Sequence, residues 1–191
     1  MNNKVYAIIP ARLGSKRLKD KNVVLLKGKP LIMWTIDEAL NSKYIDNNNL
    51  YVSTESEKIK KLVSQKCRII NRPQRLSEDN IWTQDVINHA VLNLKIINKE
   101  DIIVILQANS PQIEAKMIDR CIEKLINEDL WEVHTVSDDY INNGAIHVLR
   151  ARVCSHVGKV NYNGVIITNY IDIHTQEDLN KASDMMIVKN A

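Results

Sequence analysis

The chain has 191 residues, with 26 Lys and Arg against 23 Asp and Glu, a net charge of +3, and 45% hydrophobic and 26% charged residues. That is globular composition at the length of one domain, 1–191, which excludes intrinsic disorder and gives no bulk electrostatic reason to bind nucleic acid. No run approaches the roughly 18 apolar residues of a membrane helix, and Cys67, Cys121 and Cys154 form neither a CxxC zinc pair nor a disulfide framework; a cytoplasmic protein without a leader, holding buried or part-buried free thiols, is the expectation.

Val5–Ile9 is a short apolar run closed by Pro10 and predicts a buried strand. Residues 11–29 are polar and basic and predict a long loop, a feature that is usually functional inside a compact domain. Pro30 suits the first turn of a helix carrying Leu31, Trp34, Ile36, Ala39 and Leu40. Leu50–Ser53 predicts a second strand, Ser53 or Thr54 the cap of a helix through Lys66, and Arg68–Ile70 a third strand. A helix is expected over 80–97, and Ile102–Leu106 is a β-branched run of the kind found in central parallel strands. Ser110-Pro111 opens the next helix, to about Asn127, followed by strands at Trp131–Val136, Ala145–Leu149 and Val165–Thr168. A closing helix spans Thr175–Val188, with Thr175 and Asp178 as its cap. The spacing of Trp34, Trp82 and Trp131 suits core packing better than interface anchoring.

Alternation of this kind predicts an α/β fold with an open, mostly parallel sheet and helices on both faces. Ligands bind such sheets beyond the carboxyl ends of the strands. The polar segments after Ile9, Ile70 and Leu106 are therefore expected to share one crevice.

The segment after the first strand reads Ala11-Arg12-Leu13-Gly14-Ser15-Lys16-Arg17-Leu18-Lys19-Asp20-Lys21-Asn22. It is neither GxGxxG nor GxxxxGK[ST], which argues against a dinucleotide-dependent dehydrogenase. It still suits phosphates. Arg12 can fork onto phosphate oxygens, and Lys16 and Lys21 are mobile point charges. Gly14 permits close backbone approach, and Ser15 adds a hydroxyl and an amide. From the chemistry alone, a solvated basic loop is an equal alternative.

This segment resembles the N-terminal signature of the acylneuraminate cytidylyltransferases, the CMP–sialic acid synthetase-like family, an ARxxSKxLxxKN-like stretch. Further landmarks follow in order: Gly28-Lys29-Pro30-Leu31, Val52-Ser53-Thr54, Arg72-Pro73, Leu76-Ser77-Glu78-Asp79, Leu106-Gln107-Ala108-Asn109-Ser110-Pro111, Asn143-Gly144-Ala145-Ile146 and Asp172-Ile173-His174-Thr175. The resemblance implies a three-layer Rossmann-like, GT-A-like nucleotide-diphospho-sugar transferase fold. It implies transfer of CMP from CTP to an acidic sugar for surface polysaccharide synthesis, with release of pyrophosphate and a divalent cation, Mg2+ or else Mn2+. By resemblance, Arg12, Lys16 and Lys21 are catalytic and hold the triphosphate. Ala11, Gly14, Ser15, Asn22, Arg72 and Ser77 complete the nucleotide site, Gln107 and Asn143 face the acceptor, and Asp172 and His174 occupy the metal position. CTP and a small acidic acceptor are the implied partners, with neither nucleic acid nor membrane among them.

The chain departs from the family pattern twice. His174 stands where the family has the second acid of a DxD-like pair. Magnesium prefers hard oxygen ligands, whereas imidazole suits zinc, nickel or iron. The pattern leaves open ligation by His174, a site of Asp172, water and phosphate alone, or no metal role for His174. Second, only residues 137–142 separate Val136 from Asn143, where sialic-acid enzymes carry a long insertion with a dimer arm. A homodimer without that arm, a smaller acceptor such as a phosphonate or phosphate ester, and a catalytically impaired nucleotide-binding relative are the alternatives it opens.

Overall fold

The computed structural model describes residues 3–96, 98–154, 156 and 160–188, the last with side chains to 186. Strand β1 (Val5–Pro10) runs into the basic loop, which turns back through the short strands β2 (Leu25–Leu26) and β3 (Lys29–Pro30) to helix α1 (Leu31–Leu40). Then follow β4 (Leu50–Thr54), α2 (Glu57–Val63), β5 (Arg68–Asn71), α3 (Thr83–Asn93), β6 (Ile102–Leu106) and α4 (Ala115–Asn127). The chain continues with β7 (Glu132–Val136), β8 (Asn142–Arg150), α5 (Ala151–Cys154), β9 (Asn163–Ile167) and α6 (Gln176–Val188).

Seven strands form one sheet in the order β5-β4-β1-β6-β8-β7-β9. β5, β4, β1 and β6 are mutually parallel, β8 is antiparallel to both β6 and β7, and β9 is parallel to β7. Period-2 alternation divides the aliphatic side chains between two cores. Ala7, Ile9, Val104 and Leu106 pack with Ile36 of α1, Ile59 of α2 and Ile122 of α4. Ile8, Ile103 and Ile105 face the other way, against Ile87 and Ala90 of α3. A third, smaller core joins Leu26 and Leu31 to Ile173, Leu179 and Ala182, and so ties α6 to the far side of the basic loop.

Several sequence expectations shift. The stretch 11–29 is not all loop: Lys27 and Gly28 both take positive φ, 50° and 77°, and make the two-residue turn of a hairpin between β2 and β3. Ser53 and Thr54 are buried and finish β4, and the cap of α2 is Ser56, whose Oγ accepts from the Ile59 amide at 3.4 Å. Helix α3 starts at Thr83, and α4 starts at Ala115, where Glu38 accepts the first amide at 2.9 Å. Thr175 caps α6 as expected: its Oγ1 accepts from the Asp178 amide at 3.2 Å, and Asp178 accepts the Thr175 amide at 2.8 Å. Core packing fails for Trp82, which is 79% exposed at the start of α3. Trp34 is part-buried beside the third core, and Trp131 packs on Tyr162. Among the described residues no helix is long and apolar enough to cross a membrane.

Candidate active site

A cavity of about 480 Å³ opens beyond the carboxyl ends of β1, β5 and β6. Its lining includes Arg12, Ser15, Lys16, Lys21 and Asn22 from the loop after β1, Arg72 from the segment after β5, and Gln107 from the segment after β6. The three polar segments therefore do meet in one crevice, because parallel strands deliver their carboxyl ends to one edge.

The loop is held from beneath. The Ala11 amide donates to the Ser53 carbonyl at 3.0 Å, and buried Asn22 donates its side-chain amide to the Arg12 carbonyl at 2.8 Å. Glu55, at the start of the segment after β4, is the hub. Its Oε1 accepts the Leu13 amide at 2.9 Å, and its Oε2 accepts Arg72 Nη2 and Ser77 Oγ, each at 2.9 Å. Burial pushes the Glu55 carboxyl up, but these hydrogen bonds outweigh it and hold the group below the usual carboxylate range. Ser77 is thus a support for Glu55 and, through its carbonyl, an acceptor for Arg12 at 3.1 Å. Buried Arg72 keeps its Nε without a hydrogen-bond partner, and the Gln107 side chain lines the cavity while its backbone is fixed by Thr35 and Ala145.

At the mouth, Asp79 pairs with Arg12 at 2.7 Å and Lys16 at 2.6 Å, and these two cations hold its carboxyl below its ordinary value. Burial lowers the pKa of Lys21; Asp172 pulls it back up and Arg17 and Arg12 push it further down. Basic charge is therefore gathered around a space with few competing anions, as a polyphosphate pocket needs. Among the described residues, none beyond its two chain neighbours lies within 4 Å of where a Gly14 side chain would begin, so that part of the loop is open to an approaching group.

The segment before α6 closes the opposite wall. Asn109 clamps it by accepting the Ile173 amide at 3.1 Å and donating to the Ile173 carbonyl at 3.0 Å, and its side chain also donates to Asp172. His174 lies between Asp172 Oδ2, 2.7 Å from Nε2, and Arg17 Nη2, 2.8 Å from Nδ1, with Lys21 Nζ 3.5 Å from that same nitrogen. Arginine can only donate, so Nδ1 accepts and the ring proton sits on Nε2, facing Asp172. Both ring nitrogens are engaged, and Asp172 supplies the carboxylate at this wall, its Oδ1 accepting from Asn109 and its Oδ2 from His174. Asn143 is not brought to the cavity: its side chain accepts from Thr135 at 2.7 Å and donates to Thr168 at 2.9 Å, across the strand ends.

Sequence reasoning did not assign Glu55, Asp79, Asn109 or Arg17 to the site. Glu55 follows directly on a strand that ends at the ligand edge, a position that could have marked it.

The cytidylyltransferase family profile matches residues 6–156. The chain belongs to the cytidylyltransferase family. It is 34% identical over 136 residues to an N-acylneuraminate cytidylyltransferase of Streptococcus agalactiae, covering 71% of this chain and 32% of that protein. It is 37% identical over 142 residues to a CMP-N,N'-diacetyllegionaminic acid synthase of Legionella pneumophila, covering 70% of this chain and 59% of the relative. The chain thus spans about a third to three-fifths of these curated relatives. A solved CMP:2-keto-3-deoxy-manno-octonic acid synthetase complexed with CTP superimposes with a TM-score of 0.76 at 15% identity, covering 98% of this chain and all of that one, which places the fold among cytidylyltransferases.

Proposed function

We propose that this chain is a nucleotidyltransferase that moves CMP from CTP to a hydroxyl of an acidic sugar of the nonulosonic or ulosonic type, releasing pyrophosphate, in surface glycan biosynthesis. The observation that carries this reading is the meeting of Arg12, Lys16, Lys21 and Arg72 in one cavity at the ligand edge of a cytidylyltransferase sheet. The names of the relatives, which all describe CMP transfer to acidic sugars, support the substrate class.

Phosphoryl-type transfer is largely positioning and charge neutralisation. Arriving phosphates would compete with Asp79 for Arg12 and Lys16, exchanging an internal ion pair for the ligand's charge. Lys21, part-desolvated and fixed between the basic loop and His174, is placed to neutralise the leaving pyrophosphate. Arg72, anchored by Glu55 through Nη2, would add its positive charge to the cavity wall that meets the nucleotide. Gln107, which lines the cavity, would face the acceptor. The Asp172 carboxylate, a hard oxygen donor of the kind magnesium prefers, would hold a divalent cation, Mg2+ or Mn2+, at this wall. When bound it would neutralise phosphate charge and orient the triphosphate.

A smaller acceptor, such as a phosphonate or phosphate ester, is the second reading. It is favoured by the tight turn joining β7 to β8, where only residues 137–141 separate the strands and the Ser137 amide donates to the Ile141 carbonyl at 2.9 Å. The test is pyrophosphate release from each nucleoside triphosphate with Mg2+ or Mn2+, against a panel of acidic sugars and small phosphonates. CTP-dependent release with an acidic sugar supports the first reading, and release with a phosphonate alone supports the second. CTP binding without release from any acceptor would mark a catalytically impaired relative.

A further inference from the structure

Glu132, His134 and His147 gather on a part of the sheet that nucleotidyl transfer does not use. His134 on β7 stands directly opposite His147 on β8, and their rings stack with centroids 4.0 Å apart. Glu132 lies two residues before His134, on the same face of the strand. Its two carboxylate oxygens reach the two imidazoles, Oε1 to His134 Nε2 at 3.4 Å and Oε2 to His147 Nε2 at 3.1 Å. None of the three lines the nucleotide cavity.

The face is settled by the neighbours. Val133, between Glu132 and His134, packs with Ile122 and Leu125 of α4. The three polar side chains therefore point away from α4, to the face that carries α3 under Ile105 and Leu149. All three are part-buried, so the group is held by the strand ladder yet reachable from solvent.

The geometry points to a binding site for one first-row divalent metal of zinc, nickel or cobalt type, held by His134 Nε2, His147 Nε2 and the Glu132 carboxylate, with a remaining coordination position open to water. One donor atom from each residue can be chosen so that all three lie within 4.8 Å of one another. Bonds of about 2.0–2.1 Å at a tetrahedral angle put neighbouring donors about 3.3–3.4 Å apart, which is the scale of the two carboxylate–imidazole distances seen here. Two imidazoles with one carboxylate match these borderline metals and not magnesium. The site rests on two adjacent, ladder-paired strands, so binding needs side-chain rotation rather than backbone movement. It is separate from the Asp172 wall and does not depend on the reading of the nucleotide cavity.

The test uses the whole chain after chelator treatment, titrated calorimetrically with Zn2+ alone, without nucleotide, and followed by visible absorption with Co2+. One equivalent of zinc is expected to bind. His134→Gln and His147→Gln should each weaken it by at least the roughly 10–100-fold that loss of even an outer-sphere partner costs a metal site. His174→Gln should leave it unchanged. Circular dichroism confirms folding of each variant, and His134→Gln alone decides if His147→Gln does not fold. Failure of the folded wild type to bind zinc overturns the assignment. So does binding that survives both β-strand variants, or that is lost in His174→Gln, which would move the ion to the nucleotide site.

Discussion

The Arg17 guanidinium donates to His174 Nδ1 at 2.8 Å, and the same ring turns Nε2 to Asp172 at 2.7 Å, so one imidazole bridges the basic loop to the segment before α6. A carboxylate at position 174 would lie beside Asp172 and within reach of the cations Arg17 and Lys21, which would offset its charge. His174→Asp is therefore expected to lower the Mg2+ concentration giving half-maximal pyrophosphate release by several-fold. Steady-state rates across a magnesium titration check this. An unchanged titration curve would mean that residue 174 lies outside the ion's reach.

Arg12 and Asp79 make a second, separable pair of predictions. Arg12→Ala removes a cation from the cavity but no core contact, so turnover should fall about 10²–10³-fold, the usual cost of one charge-stabilising donor. Its melting temperature should barely move. Asp79→Asn removes the anion that occupies Arg12 and Lys16. CTP affinity, measured by calorimetry at low salt, should rise a few-fold. Weaker CTP binding in Asp79→Asn would show that the aspartate orients the cations more than it competes for them.

Glu55 is the internal support. Its side chain is 11% exposed and that of its partner Arg72 only 3%, so deleting the carboxylate charge leaves a buried guanidinium without its counterion. Breaking such a pair from one side costs about 3–5 kcal/mol, and Glu55→Gln, which keeps the shape, should lie near the lower end in urea unfolding. The pH dependence has a definite sign. The folded carboxyl titrates below its ordinary value, about 4.5, so the group's contribution is full above that pH and is lost as pH falls through the folded value. The stability gap between wild type and Glu55→Gln should therefore narrow on acidification below about pH 4.5. A gap that stayed constant down to the acid limit would refute the linkage.

The sheet was legible because aliphatic runs such as Ile102–Leu106 carry burial on both faces in their own sequence. The β2–β3 hairpin was not, since two residues per strand contain no periodicity and only the Lys27-Gly28 turn marks it. Likewise, Ser110-Pro111 looks like a helix start, but the chain makes turns there, with the Ser110 amide donating to the Gln107 carbonyl at 3.3 Å, before α4 begins. Within the site, the cations of the basic loop could be read from one continuous segment. Their partners could not: Glu55, Asp79 and Asn109 come from three other segments and acquire meaning only when the sheet brings the strand ends together. Asn143 shows the converse, a residue in a family-like segment whose side chain the fold directs to Thr135 and Thr168.

The three thiols give a prediction about the core. Cys67 and Cys121 are buried, and burial pushes each thiol up to about 12. Part-buried Cys154 is pushed up to about 11 for the same reason. The thiolate is the reactive form, and at neutral pH almost none is present in the folded state. Labelling with an aromatic disulfide reagent should therefore be slow natively and complete quickly in denaturant. Cys154 should lead the native reaction, because it combines the least raised pKa with the greatest exposure. Fast native modification of Cys121 would mean that α4 detaches from the sheet on the labelling timescale, since its thiol lies in the core shared by Ile118, Ile122 and the strands beneath.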